Sequence, residues 1–214
     1  MRYLAALVLG VLSSAAYSQD PALKLTEATF DAHRQDRGVV LLHVNWGREW
    51  NCHGHDSAQL QRLTFQRLPA GAGAREITLD IPSKLRAKDA FQRYALLVPP
   101  GEYALSGFRF KVATAVSSFT IYEPDASKLI DNGRPKAGSF RVGAGEIVYV
   151  GHFGVDCNGE PSPWRFYIEG EEQFRQYAEN FHREFPFTSS VPVTYRLFDT
   201  EVFGRQYALS APAN

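Results

Sequence analysis

The chain of 214 residues has no excess of charge of either sign, because 23 Lys and Arg stand against 23 Asp and Glu. A nucleic-acid-binding protein needs basic side chains concentrated on one face to neutralise phosphates. Here 17 Arg and 6 Lys are scattered among an equal number of acidic residues. The balance argues against a nucleic acid as the partner.

Long apolar runs are also missing. The apolar stretch from Leu4 to Leu12 is shorter than a membrane-spanning helix requires. It follows Arg2 and precedes Ala16-Tyr17-Ser18, and this order of features is typical of a secretory signal peptide. We therefore predict a signal peptide over residues 1–18, no transmembrane segment after it, and a periplasmic or secreted location.

Sulfur is scarce as well: the one methionine is residue 1, and the two cysteines are Cys52 and Cys157. The chain therefore lacks the thioether ligands of a methionine-rich Cu(I) carrier. In an oxidising compartment an even pair of cysteines is most simply a disulfide. On the chain-entropy model, closing a loop of about a hundred residues stabilises a fold by ~4.7 kcal/mol.

Common catalytic signatures are absent, since the sequence contains neither a Gly-x-Ser-x-Gly elbow nor a His-Glu-x-x-His helix. Cys52 beside His53 leaves a thiolate pair as an alternative, and Glu146, Asp156 and Glu160 leave paired carboxylates as another. The sequence favours a protein without catalysis and without a cofactor.

What the chain does contain is a series of apolar or alternating segments separated by Gly and Pro, which predicts strands. Pro99-Pro100-Gly101 predicts a turn between two strands, and Gly143-Ala144-Gly145 predicts the turn of a hairpin. The side-chain alternation slips at Gly107, which indicates a β-bulge. The predicted strands are Val39–Val44, Leu60–Leu68, Glu76–Asp80, Tyr94–Val98, Tyr103–Val112, Phe119–Ile121, Ser139–Val142, Glu146–Phe153, Trp164–Ile168 and Val191–Leu197.

One segment has the apolar spacing of an amphipathic helix, over residues 171–185, and Pro186 ends it. Strands of this number with a single helix predict an all-β fold: a sandwich or partial barrel of short antiparallel strands with one C-terminal amphipathic helix. We divide the chain into an N-terminal arm, residues 19–37, and a single domain, residues 38–214.

Two segments carry a resemblance to a broad group of secreted bacterial β-sandwich domains. These domains have a "PPGxY" hairpin followed by an "aGExvYvG" strand, which correspond here to Val98–Leu105 and Phe140–Gly151. The resemblance covers residues 94–153. It implies a sandwich fold and no functional residue.

Four of the six histidines stand near the cysteines in sequence: His43, His53, His55 and His152. If Cys52 bonds Cys157, the segments that carry them meet at one end of the fold. Imidazoles gathered in this way suit zinc or copper, which makes a metal-binding protein or metalloenzyme the alternative function. The competing interpretation places His43 and His152 at strand ends and the other two on a solvated loop.

A binding surface is the function that the sequence favours, because Trp and Arg are enriched where proteins bind ligands. The predicted ligand-binding residues are Trp46, Arg48, Trp50, Trp164 and Arg165. The competing interpretation packs the tryptophans around the disulfide as core. We expect the partner to be another protein or a cell-envelope ligand.

Overall fold

A computed structural model of the protein describes residues 22–69, 76–82, 91–115, 117–157, 161–200 and 202. The predicted signal peptide lies outside these residues. The two helices of the described part are α1 (Glu27–His33) and α2 (Glu171–Glu184). Its strands are β1 (Leu23–Lys24), β2 (Gly38–Val44), β3 (Arg48–Trp50), β4 (Ser57–Leu68), β5 (Glu76–Asp80), β6 (Gln92–Val98), β7 (Gly101–Ala115), β8 (Ser118–Tyr122), β9 (Ile130–Asp131), β10 (Arg134–Pro135), β11 (Ser139–Val142), β12 (Ile147–Asp156), β13 (Ser162–Phe166) and β14 (Val193–Tyr195).

The strands form two six-stranded sheets and a small separate pair, β9 with β10. The first sheet has the order β1-β6-β2-β12-β13, with β14 beside β12. The second has the order β11-β7-β4-β3, with β5 beside β4 and β8 beside β7. The sheets pack face to face, so the predicted all-β sandwich is confirmed.

Strand β2 lies at the centre of the packing, and all seven of its residues are buried. Val40 and Leu42 point between the sheets, where they join the main core. Val39 and Leu41 point the other way, into a second core that Phe181 of α2 covers. The continuous apolar run therefore marks a strand covered on both faces, as its sequence predicts.

The predicted turn between two strands at Pro99–Gly101 is confirmed, but the hairpin predicted at residues 143–145 is not formed, because both turns join strands of different sheets. The turn around Pro99–Gly101 leads from β6 in the first sheet to β7 in the second. The turn at residues 143–145 leads from β11 in the second sheet back to β12 in the first. The hydroxyl of Tyr103 donates to the carbonyl of Pro99 at 2.7 Å and fixes the first of these corners.

The strand directions and the N-terminal arm differ from the sequence-based predictions, whereas the bulge at Gly107 agrees with them. The strands are not all antiparallel, because β12 runs parallel to both β2 and β14. The predicted N-terminal arm is partly ordered into β1, which pairs with β6, and α1. The bulge at Gly107 is confirmed, since Thr64 pairs with Gly107 while Phe65 pairs with Leu105.

The predicted disulfide is confirmed: Cys52 bonds Cys157, with their Cα atoms 4.6 Å apart. The bridge joins the loop that follows β3 to the end of β12 and therefore links the two sheets. A thiolate catalytic pair at Cys52 and His53 is excluded, because Cys52 has no free thiol. Neither helix of the described residues is long and apolar enough to cross a membrane.

Candidate functional site

The predicted histidine cluster divides into two groups. His43 and His152 are direct neighbours, because β2 and β12 pair in parallel with these residues in register. Their ring centroids are 4.1 Å apart in an edge-to-face contact. His53 and His55 instead lie in the loop of the disulfide, where the His53 amide donates to the Cys157 carbonyl at 3.1 Å.

Helix α2 covers the His43–His152 pair from outside the first sheet. The Nε2 atom of His43 lies 3.2 Å from the hydroxyl of Tyr177 on that helix. The Nδ1 atom of His152 lies 2.7 Å from the hydroxyl of Tyr149, which also accepts a hydrogen bond from the Ile168 amide. Each imidazole is therefore held by a tyrosine of its own.

A bulge in β12 makes this arrangement possible. Residues three apart on a regular strand point to opposite faces, yet Tyr149 and His152 both lie under α2. The pairing with β2 slips between Tyr149 and Gly151, which inserts one extra residue. Gly151 adopts a φ of +111°, a conformation that other residues rarely take.

Burial keeps both imidazoles neutral. Desolvation, together with smaller contributions from the nearby His152 and Arg93, lowers the pKa of His43 to about 3. Desolvation also lowers the pKa of His152 to about 4. In the described residues, no three His, Cys, Asp or Glu side chains are grouped as metal ligands would be. The pair packs α2 onto the sheet as an uncharged, hydrogen-bonded contact.

The structure corrects two of the five predicted ligand-binding residues. Trp46 is only 1% exposed, and its indole N–H donates to the hydroxyl of Tyr94 at 2.9 Å. Arg165 is also buried and donates to the carbonyl of Phe198. Trp46 belongs to the main core, and Arg165 stands opposite the core residue Phe153 on the inner face of the first sheet, so neither can meet a ligand. Trp164 is half-buried, with its ring centroid 6.3 Å from that of Phe166.

Arg48 and Trp50 are exposed, because they lie on the outer face of the second sheet. There β3, β4, β7 and β8 are adjacent, and their residues form two rows across the strands. The first row is Trp50, Ser57, Ala113 and Phe119, and the second is Arg48, Gln59, Lys111 and Ile121. These residues, apart from Ile121, line a depression of about 150 Å³ together with Asp56, Ala115 and Ser118, and we call it the outer groove.

Two exposed aromatic rings stand at opposite ends of the outer groove. Trp50 is 64% exposed and Phe119 is 56% exposed, although both belong to residue types that usually bury most of their surface. Small side chains, Ser57 and Ala113, lie between them and form a low floor. The two rings therefore project from the sheet on either side of this floor.

Each ring of the outer groove has a cation beside it. The guanidinium of Arg48 lies 5.1 Å from the centre of the Trp50 ring, and the ammonium of Lys111 lies 4.2 Å from the centre of the Phe119 ring. Such contacts hold an exposed ring in place and are worth about 0.5–1 kcal/mol at exposed sites. Among the described residues neither Arg48 nor Lys111 forms an ion pair, although Asp56 lies in the same groove.

Of the ten residues that line the outer groove, the sequence predicted only Arg48 and Trp50 as ligand-binding; the missed residues include Ser57, Gln59, Lys111, Ala113 and Phe119. Arg48 and Trp50 share a face because they are two residues apart in one strand, and the same holds for Lys111 and Ala113. The sequence does not indicate that β3 and β8 belong to the same sheet with two strands, β4 and β7, between them. The sequence held no signal for Phe119, because its alternation with Thr120 and Ile121 is typical of a half-buried strand, whereas the structure leaves all five residues of β8 exposed.

Comparison of the chain with protein-family models, with curated proteins and with solved structures finds no match.

Proposed function

We propose that the protein is exported to the periplasm or the exterior and binds an acidic polysaccharide of the cell envelope in the outer groove, without catalysis. The observation that carries this proposal is the pair of exposed rings, Trp50 and Phe119, at the two ends of one row of the sheet. A groove of this kind binds and orients a ligand but holds no arrangement of nucleophile and base.

The shape of the outer groove favours a chain-like ligand. Adjacent strands lie about 4.8 Å apart, so the three spacings from β3 to β8 separate the two aromatic residues by roughly 14 Å. The groove is shallow and open along this direction, unlike the concave pocket that encloses a small molecule. A segment of polymer can lie across the four strands and reach both rings.

The side chains favour a carbohydrate with carboxylates. An exposed aromatic ring offers a flat apolar surface against which the C–H face of a sugar ring packs. Arg48 and Lys111 supply positive charge that no acidic residue of the described chain neutralises by a direct ion pair. Because Arg binds carboxylates through two parallel hydrogen bonds, an acidic sugar satisfies the ring and the cation together.

Export rests on the sequence and on the bridge. The features of residues 1–18 are those of a signal peptide, and a structural disulfide is characteristic of oxidising compartments. Acidic polysaccharides are found outside the cytoplasm, so the proposed compartment and the proposed ligand agree.

The test is retention of the protein in gels that contain a polysaccharide. Polygalacturonate, alginate and hyaluronate are the acidic probes, and fully methyl-esterified polygalacturonate is the neutral counterpart of the first. We expect retention by at least one acidic polymer and roughly tenfold weaker binding by Trp50→Ala and by Phe119→Ala, a loss equivalent to about 1.4 kcal/mol.

Two controls make the test specific. Phe166→Ala removes an aromatic ring that is 40% exposed on the other sheet and must leave retention unchanged. The double variant Arg48→Gln/Lys111→Gln must lose the preference for the acidic polymer over its methyl ester. Absence of retention by all three acidic polymers, or equal binding by wild type and the Trp50 variant, would overturn the proposal.

A further inference from the structure

Strand β8 is an edge strand with an unusual composition. It pairs with β7 on one side, and no described strand lies on its other side. All five of its residues are exposed, among them Phe119, Ile121 and Tyr122, which are 56%, 44% and 42% exposed. Three of the exposed large hydrophobic residues of the described chain therefore stand on one five-residue strand.

Edge strands in natural proteins are protected against pairing with other chains, by charges, by proline or by being very short. Three other outer strands among the described residues follow that rule: β1 has two residues, β5 begins with Glu76 and ends with Asp80, and β3 contains Arg48. The sequence of β8, Ser118-Phe119-Thr120-Ile121-Tyr122, contains no charge and no proline.

We propose that β8 is the dimerisation strand of this protein and pairs antiparallel with β8 of a second copy. The two-fold axis passes through Thr120, so that Thr120 of each copy faces its counterpart. Phe119 then lies opposite Ile121 of the second copy, and Ser118 lies opposite Tyr122. Each of the five residues of β8 then has a partner in the second copy. The contacts of Phe119 with Ile121 and of Ser118 with Tyr122 each occur twice, as a symmetric interface requires.

A second copy fits this edge because the strand complements itself. Aromatic side chains opposite β-branched ones are among the favourable cross-strand pairs, and Phe119 with Ile121 is such a pair. Two uncharged strands also approach without like-charge repulsion. The backbone groups on the open side of β8 find partners in the same pairing, which a solvent-exposed edge otherwise leaves to water.

The dimer joins the two outer grooves. Partners in an antiparallel pair point to the same face of a sheet, so the outer faces of both copies lie on one side. The two halves form one eight-stranded surface, β3-β4-β7-β8 followed by the same strands of the second copy in reverse. If the outer groove binds a polymer, a dimer offers two linked sites to one chain and thereby increases avidity.

The association is expected to be weak. A five-residue strand with three large side chains buries less than the roughly 1,200 Å² of a standard stable interface. We therefore expect a dissociation constant of about 1 µM to about 100 µM, and a monomer at lower concentrations.

Sedimentation equilibrium of the full chain measures this association without any ligand, so it is independent of the proposed function. The expected result is a reversible monomer–dimer equilibrium over about 1 µM to about 1 mM chain. Ile121→Lys is expected to abolish the dimer, because it places two ammonium groups in the pairing. Phe166→Lys, at an exposed ring of the other sheet, is the matched control and must dimerise normally.

Engineered cysteines test the register. Thr120→Cys places two thiols directly opposite each other, where Cα atoms about 4.5–5.5 Å apart permit a disulfide. Ser118→Cys faces Tyr122 instead and is the matched control. We expect fast cross-linking in a glutathione buffer only for Thr120→Cys. A wild type that stays monomeric over the whole range, a dimer that survives Ile121→Lys, or equal cross-linking of the two variants overturns the proposal.

Discussion

Trp46 and Trp50 show how differently one residue type is used four positions apart. Trp46 follows β2 into the space between the sheets and has a hydrogen-bond partner there, the Tyr94 hydroxyl. Trp50 ends β3 on the outer face and contacts Arg48. A buried indole needs an acceptor for its N–H, whereas the N–H of an exposed indole can donate to water.

Removing the acceptor of Trp46 tests its role in the core. Tyr94→Phe leaves the indole N–H buried without its partner, and we expect a loss of about 1–3 kcal/mol in the free energy of unfolding. Urea denaturation followed by tryptophan fluorescence measures it. Tyr122→Phe, which removes a hydroxyl from an exposed side chain, is the control and should change stability by less than about 0.5 kcal/mol. Equal stability of wild type and Tyr94→Phe would contradict the assigned hydrogen bond.

At the scale of the element, two glycine bulges have different causes. Gly107 in β7 has room for a side chain, since an added Cβ would meet Thr64 at an ordinary 3.6 Å. Gly151 in β12 has a φ of +111°, and an added Cβ would lie 3.1 Å from the Phe166 carbonyl. The second bulge is the one that brings Tyr149 and His152 to the same face.

The pair of bulges yields a matched comparison. Gly151→Ala forces a strained backbone and is expected to lower the free energy of unfolding by about 1–3 kcal/mol. Gly107→Ala is expected to change it by less than about 0.5 kcal/mol. Thermal unfolding by circular dichroism measures both variants. Similar losses for the two would show that the positive φ of Gly151 is not what the fold requires.

The packing of α2 on the first sheet predicts a dependence on pH. His43 and His152 have pKa values of about 3 and about 4 when folded, below the value of 6.5 of a free imidazole. Between those values the unfolded chain binds more protons than the folded one, so stability falls as the pH is lowered through 6.5 towards 4. The slope is at most about 1.4 kcal/mol per pH unit for each histidine.

Urea midpoints measured from about pH 7 to about pH 4 check this dependence. The control is the double variant His43→Gln/His152→Gln, which keeps polar side chains and removes both titrating groups. It is expected to show a flatter profile over the same range. A wild-type profile that is flat, or one that matches the double variant, would contradict the assignment of the two imidazoles as buried and neutral.

For the whole molecule, the disulfide is a covalent cross-link between the two sheets in addition to the backbone. It joins residues 105 positions apart, a separation for which the chain-entropy model gives a stabilisation of about 4.7 kcal/mol. Cys52→Ser/Cys157→Ser is therefore expected to reduce the free energy of unfolding by about 2–5 kcal/mol. Urea denaturation of the variant, and of wild type with and without reductant, measures the loss.

Reduced wild type and the double serine variant should behave alike, because both lack the bridge and keep the same loop length. The outer groove begins two residues before Cys52, so we also expect the reduced protein to bind acidic polysaccharide less well. Full stability after complete reduction would contradict the expected contribution of the disulfide to the free energy of unfolding.

The sequence by itself determined a good deal of this fold. Local alternation of side chains is enough to place a half-buried strand, and a continuous apolar run is enough to mark β2 as covered on both faces. The bulge near Gly107 and the disulfide Cys52–Cys157 were likewise predicted from the sequence. A slip in side-chain alternation at a glycine is typical of a bulge, and two cysteines in an exported chain most simply bond each other. Helix α2 followed from its 3.6-residue period.

Only the tertiary structure decided which strands are neighbours. A period of two tells which face of a strand is apolar, but backbone hydrogen bonds are chemically the same for every strand and do not identify the partner. For this reason the turn at residues 143–145 was predicted to close a hairpin, whereas it and the turn at Pro99–Gly101 both cross from one sheet to the other. The outer groove and the His43–His152 pair depend on the same information, since each is assembled by strands distant in sequence.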